Sequence, residues 1–102
     1  MDLKPGSRWK SAVSSAEVVV VRPPSAPVVL ECGGVAMLAP TAERPAGLAI
    51  DPAHAGASLM GKRYVDADTG LEALCAKPGE GALSVNGRPL TVRDAKKLPS
   101  SD

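Results

Sequence analysis

A chain of 102 residues with ten Gly, ten Pro, one Trp, one Tyr and no Phe is one domain, or two very small units sharing a core. Its formal net charge of +1 leaves no overall electrostatic footprint for nucleic acid or an anionic membrane, and two aromatic residues give no stacking platform for single strands. No apolar run nears the ~20 residues that span a bilayer, residues 1–5 lack an apolar signal stretch, and Cys32 and Cys75 are too few for a disulfide framework. The expectation is a cytoplasmic protein with neither membrane nor nucleic acid as partner.

Along the chain, Glu17-Val18-Val19-Val20-Val21-Arg22 is β-branched and too short for a typical helix, which predicts a strand. Its unbroken apolar run predicts cover on both faces. Arg22 to Pro27 holds three prolines and predicts a loop. Pro27 to Glu31 predicts a second strand, and the two strands predict a hairpin. Cys32-Gly33-Gly34 predicts a turn. Residues 39–60 are rich in Ala, Gly and Pro and lose the alternation. Within them Asp51-Pro52 predicts one short helical turn, with Asp as N-cap and Pro at the first position. Leu71 to Ala76 and Ala82 to Val85 predict strands, separated by the turn cluster Lys77 to Gly81. Asn86-Gly87 predicts a tight turn. A charged tail follows.

The chain repeats itself. Residues 6–23 align without a gap on residues 61–78, with Gly6 on Gly61, Arg8 on Arg63, Trp9 on Tyr64, Ala12 on Ala67, Glu17 on Glu72 and Pro23 on Pro78. Closing the second turn two residues earlier puts Gly34-x-x-Met37 on Gly87-x-x-Leu90. The expected fold is all-β. Two tandem small β-hairpin or knuckle units pack together, 6–38 and 61–92, joined by a linker at 39–60 and followed by a tail at 93–102. Val18, Val20, Val28, Leu30, Leu74, Leu83 and Val85 are the expected core, and Trp9 and Tyr64 the anchors of the two units.

Each unit resembles desulforedoxin, the rubredoxin-like knuckle also found as the N-terminal domain of desulfoferrodoxin. The family pattern G-x-x-Y-x-C-x-x-C-G is matched by Gly61-x-x-Tyr64-x-Asp66-x-x-Thr69-Gly70 and by Gly6-x-x-Trp9-x-Ser11-x-x-Ser14-Ser15. Its C-C-G-x-x-M end is matched by Cys32-Gly33-Gly34-x-x-Met37. The resemblance implies iron held by four cysteine thiolates. The corresponding positions are Ser11, Ser14, Cys32 and Gly33 in the first unit, and Asp66, Thr69, Val85 and Asn86 in the second. One thiol survives in eight positions. Ser and Thr hydroxyls stay neutral near pH 7 and replace thiolates poorly, so the expectation is neither metal nor other cofactor. The superoxide chemistry of desulfoferrodoxin needs several histidines, and His54 is the single one here.

Reactive side chains are few. Cys32 at a glycine turn is a candidate thiol, and a Cys32–His54 dyad is the minimal nucleophilic arrangement. A buried former ligand and a surface His are the readings preferred, and Cys75 in mid-strand reads as core. Asp66 and Asp68 read as a solvated knuckle turn. Arg8 and Arg63 are candidates for binding an anion, with stacking on Trp9 and Tyr64 preferred. The expected function is a metal-free, non-catalytic accessory module that engages a protein partner, an enzyme among the possibilities, or its own copies. Two alternatives stand beside it: a small thiol enzyme or redox protein using Cys32, and a metalloprotein with a site assembled across an oligomer interface.

Overall fold

The computed structural model describes residues 1–93, so most of the expected tail lies outside the described residues. The first half holds β1 (Arg8–Lys10), β2 (Glu17–Arg22), β3 (Leu30–Cys32) and β4 (Val35–Ala36). The connector forms a 3₁₀ turn at Pro52–His54 and then β5 (Ala57–Ser58). The second half holds β6 (Arg63–Val65), β7 (Glu72–Lys77), β8 (Gly79–Glu80), β9 (Leu83–Val85), β10 (Arg88–Pro89) and β11 (Thr91–Arg93). The architecture is all-β, as expected. The 3₁₀ turn starts where the sequence places it: the Ala53 N–H donates to Asp51 Oδ1 at 3.0 Å, and Pro52 opens the turn. No helix among the described residues is long and apolar enough to cross a membrane.

Five strands form one sheet in the order β1-β2-β7-β6-β11, and four form a second in the order β10-β9-β3-β4. A small third sheet pairs β5 with β8. The two larger sheets are joined at both ends. Only Leu90 separates β10 from β11, and β4 runs through Met37 to Leu38, which bridges Lys10 of β1. Met37 and Leu90 are both buried at these corners. Their amides donate to Leu30 and Leu83, respectively, at 2.9 and 3.0 Å. Closing the strands into a ring leaves few unpaired edges, which suits a short chain with little spare core.

The two halves use one register. In the β1–β2 hairpin Arg8 faces Val19 and Trp9 faces Val18; in β6–β7 Arg63 faces Leu74 and Tyr64 faces Ala73, each partner 55 residues on. Glu31–Ala36 and Cys32–Val35 in β3–β4 become Ser84–Pro89 and Val85–Arg88 in β9–β10, 53 residues on. The inter-half pairs obey the same shifts. Val19 lies opposite Leu74, and the pairs Val18–Cys75 and Val20–Ala73 exchange when the halves are exchanged. Leu30–Val85 and Cys32–Leu83 do the same. Both β-turns have two central residues at positive φ, Gly33-Gly34 at 66° and 82° and Asn86-Gly87 at 50° and 81°. Type I′ hairpin turns require this, and Asn and Gly tolerate it.

Three expectations change. The Pro-rich 22–27 segment does not close a hairpin, because β2 pairs with β1 and β7 while β3 pairs with β4 and β9. With no N–H at Pro23, Pro24 or Pro27, this stretch serves as a crossover between the sheets. The Val18–Val21 run is covered on one face only: Val18 and Val20 are buried, whereas Val21 is 42% exposed. Val18, Val20, Val28, Leu30, Leu83 and Val85 join the core as expected, but Leu74 is only half-buried. Alternation about the buried Ala73 and Cys75 turns Leu74 to the outer face. Leu71 takes the inward place instead, with Leu3, Met37 and Tyr64.

Candidate functional site

The candidate site is the pair of knuckle ends where the resemblance puts iron ligands. In the first, the chain folds back between β1 and β2 around the fully buried Ser11. Ser11 Oγ accepts the N–H groups of Val13 and Ser14, each at 3.0 Å. Ser14 Oγ accepts the Ala16 N–H at 3.2 Å. These serines satisfy amides that a knuckle turn would otherwise leave unpaired. Cys32 is fully buried, and its thiol lies 3.6 Å from the carbonyl oxygens of Glu80 and Gly81. The space over Gly33 is filled. A Cβ there would lie 3.1 Å from Ile50 Cγ1 and 3.2 Å from Val13 Cγ2. The connector is tied down by the Asp51 N–H, which donates to the Gly33 carbonyl at 2.8 Å, and by Arg44 Nε, which donates to the Ser11 carbonyl at 3.1 Å.

The second end is built on charge. Asp66 is 3% exposed. Arg88, the residue after the Asn86-Gly87 turn, donates Nε to Oδ1 at 3.2 Å and Nη2 to Oδ2 at 2.9 Å. Thr69 Oγ1 donates to Oδ2 at 2.6 Å, and Arg88 Nε also lies 3.3 Å from Asp68 Oδ2. The Arg88 hydrogen bond holds the Asp66 carboxyl below its ordinary range, against burial, which pushes it up. The expected solvated turn is therefore corrected: Asp66 is enclosed in a bidentate ion pair. Val85 is buried in the core, and Asn86 joins the halves, its side chain accepting the Val29 N–H at 2.9 Å.

Neither end fits iron or zinc. Such a site needs four soft donors at about 2.3 Å around one ion. The first end supplies one thiol, aimed at two carbonyls, with aliphatic carbon over Gly33. The second supplies a single buried carboxylate already neutralised by a guanidinium. Among the described residues no three His, Cys, Asp or Glu side chains gather where they could hold a metal.

The other candidate residues are dispersed. The half-buried His54 sits on the 3₁₀ turn, with its Cδ2 over Gly34, and the contacts of the Cys32 thiol are carbonyls rather than the imidazole. Cys75 is buried, its thiol 3.1 Å from the Lys77 carbonyl, and burial pushes its pKa up. Both cysteines are free. The arginines do not stack on their neighbouring rings, because consecutive strand residues point to opposite faces. Arg63 instead pairs with Glu72 at 3.0 Å, and Arg8 is exposed on the outer face. Tyr64 is buried and its hydroxyl accepts the Leu59 N–H at 2.9 Å; Trp9 is half-buried against the core and donates to Ser7 Oγ at 3.1 Å.

Sequence reasoning missed Arg88 and Ile50. Arg88 had a signal, a cation directly after a tight turn in the same half as two clustered carboxylates. Ile50 had none, lying in a connector without periodicity. No family model, curated protein or solved structure matches the chain.

Proposed function

We propose that the chain is a duplicated desulforedoxin-like knuckle that has lost its metal and acts as a non-catalytic binding module for a protein partner. One observation carries the reading: both ligand positions are closed by the protein's own side chains, one by hydroxyls and Ile50, the other by the Asp66–Arg88 pair. Metal-bearing knuckles draw much of their folding energy from the ion. Here a shared core and two filled ends take that role, which leaves no reactive group displayed. The common register of the halves supports the duplication. We also take the protein to be cytoplasmic; two buried free thiols favour a reducing compartment.

The test has two arms. Protein purified from iron- and zinc-supplemented cultures should carry substoichiometric metal, and a chelator should leave its thermal midpoint unchanged. Stoichiometric metal would overturn the metal-free reading, whether in the monomer or across an oligomer. In native lysate, the tagged chain should retain a defined protein that an excess of the untagged chain releases. Rapid labelling of native Cys32 would favour the thiol chemistry instead.

A further inference from the structure

The outer face of the five-stranded sheet has a charge that the composition hides. One row of cross-strand partners runs over all five strands: Arg8, Val19, Leu74, Arg63 and Arg93. Two half-buried aliphatic side chains sit at its centre, and arginines stand at both sides. Lys10, Arg22 and Lys77 lie on the neighbouring rows, with Glu17 and Glu72 as the acids among the described residues. Among the described residues, six cations against two carboxylates leave a surplus of four on this face, where the whole chain has +1. The acids are already engaged, Glu17 by Lys77 at 3.5 Å and Glu72 by Arg63 and Arg93 at 3.0 and 3.6 Å. Among the described residues Arg8, Lys10 and Arg22 have no acidic partner.

We infer that this face is the docking surface for an acidic segment of a partner protein, with carboxylates flanking an aliphatic side chain. The inference rests on the partner-binding reading and names its chemistry. Strands in a sheet lie about 4.8 Å apart, so Arg8 and Arg63 stand about 14 Å from each other across Val19 and Leu74. An extended chain rises about 3.4 Å per residue, so acids at i and i+4 meet the two arginines while i+2 covers the aliphatic centre. Both rings point inward from this sheet, so nothing here stacks on nucleic-acid bases. The aliphatic centre is flat and half-covered, unlike the deep apolar face that inserts into a bilayer. Complementary charge of this kind sets encounter rate and register.

A fluorescein-labelled peptide with a Glu-Ser-Leu-Ser-Glu core, followed by anisotropy, tests the surface on the full chain. The wild type should bind it, with affinity falling as salt rises. Arg8→Glu, which breaks no ion pair, should weaken binding about tenfold, or ~1.4 kcal/mol. Lys4→Glu, the same charge change outside the strands of this sheet, breaks only the exposed Lys4–Asp2 pair and should weaken it much less. Circular dichroism confirms that each variant is folded. Equal loss in both variants, no binding by the folded wild type, or equally tight binding of an oligo-dT strand or phosphatidylserine vesicles would overturn the inference. If a native partner is retained equally by wild type and Arg8→Glu, the face is wrong while partner binding stands. If the peptide binds but no native partner exists, the partner-binding reading is what fails.

Discussion

The β1–β2 and β6–β7 ends share a strand register and differ in how they are closed. At the first, Ser11 caps two amides and Ile50 comes in from the connector, so the end is sealed by hydroxyls and aliphatic packing. At the second, Asp66 and Thr69 stand at the matching positions and Arg88 closes over them, so the end is sealed by an ion pair. The strand register tolerates either solution because it is set by the hairpins and by the inter-half ladder. The ends are thus free to vary in chemistry while the ring stays the same. They should also respond differently to acid, since only one depends on an ionised carboxylate.

The largest expected effect compares the anchors. Tyr64→Ala should cost about 3–5 kcal/mol in urea unfolding, as for a buried aromatic ring, and Trp9→Ala about 2, because its ring is half-exposed. Equal losses would mean the halves are packed alike despite their different burial. Next, Asp66→Asn should cost about 1–2 kcal/mol at pH 7. The folded Asp66 has a lowered pKa, so its contribution is present above the unfolded value, about pH 4, and is lost as pH falls through the folded value. The stability gap between wild type and Asp66→Asn should therefore shrink below about pH 4. Arg88→Ala should shift the Asp66 carboxyl resonance titration upward. Ser11→Ala should cost about 1 kcal/mol with no such pH dependence. Ile50→Ala should cost about the same or less, again independent of acid, because Ile50 is only part-buried. A gap at Ser11 that closes in acid would dissolve the contrast between the ends.

The parts legible in the sequence were local. Val18 and Val20, the Asn86-Gly87 turn and the Asp51-Pro52 start are each fixed by residues within a few positions. What the sequence did not reveal was which strand meets which. The pairing of β2 with β7 and of β3 with β9 joins residues fifty or more positions apart, and no local preference encodes it. The nearest strand looked like the partner of β2, yet the Pro-rich stretch between them leads to the other sheet. At the candidate site, the types at the ligand positions were readable but their environment was not. Burial of Asp66 depends on Arg88, which approaches from beyond the second turn. Close backbone approaches are equally hidden: a Cβ on Gly79 would lie 2.4 Å from the Ala16 amide nitrogen, a constraint invisible in the Lys77 to Gly81 cluster.

The exchangeable register of the halves bears on how the chain reaches its fold. The central ladder can form only after the ends of a long loop meet, so it follows the local hairpins and folding should be slow for the chain's size. During that interval the first half of one molecule can meet the second half of another and find every partner in its proper place. The linker at 39–60 keeps the correct half at high local concentration and suppresses this swap in dilute solution. At high protein concentration refolding should therefore yield interlocked dimers whose strands are paired as in the monomer.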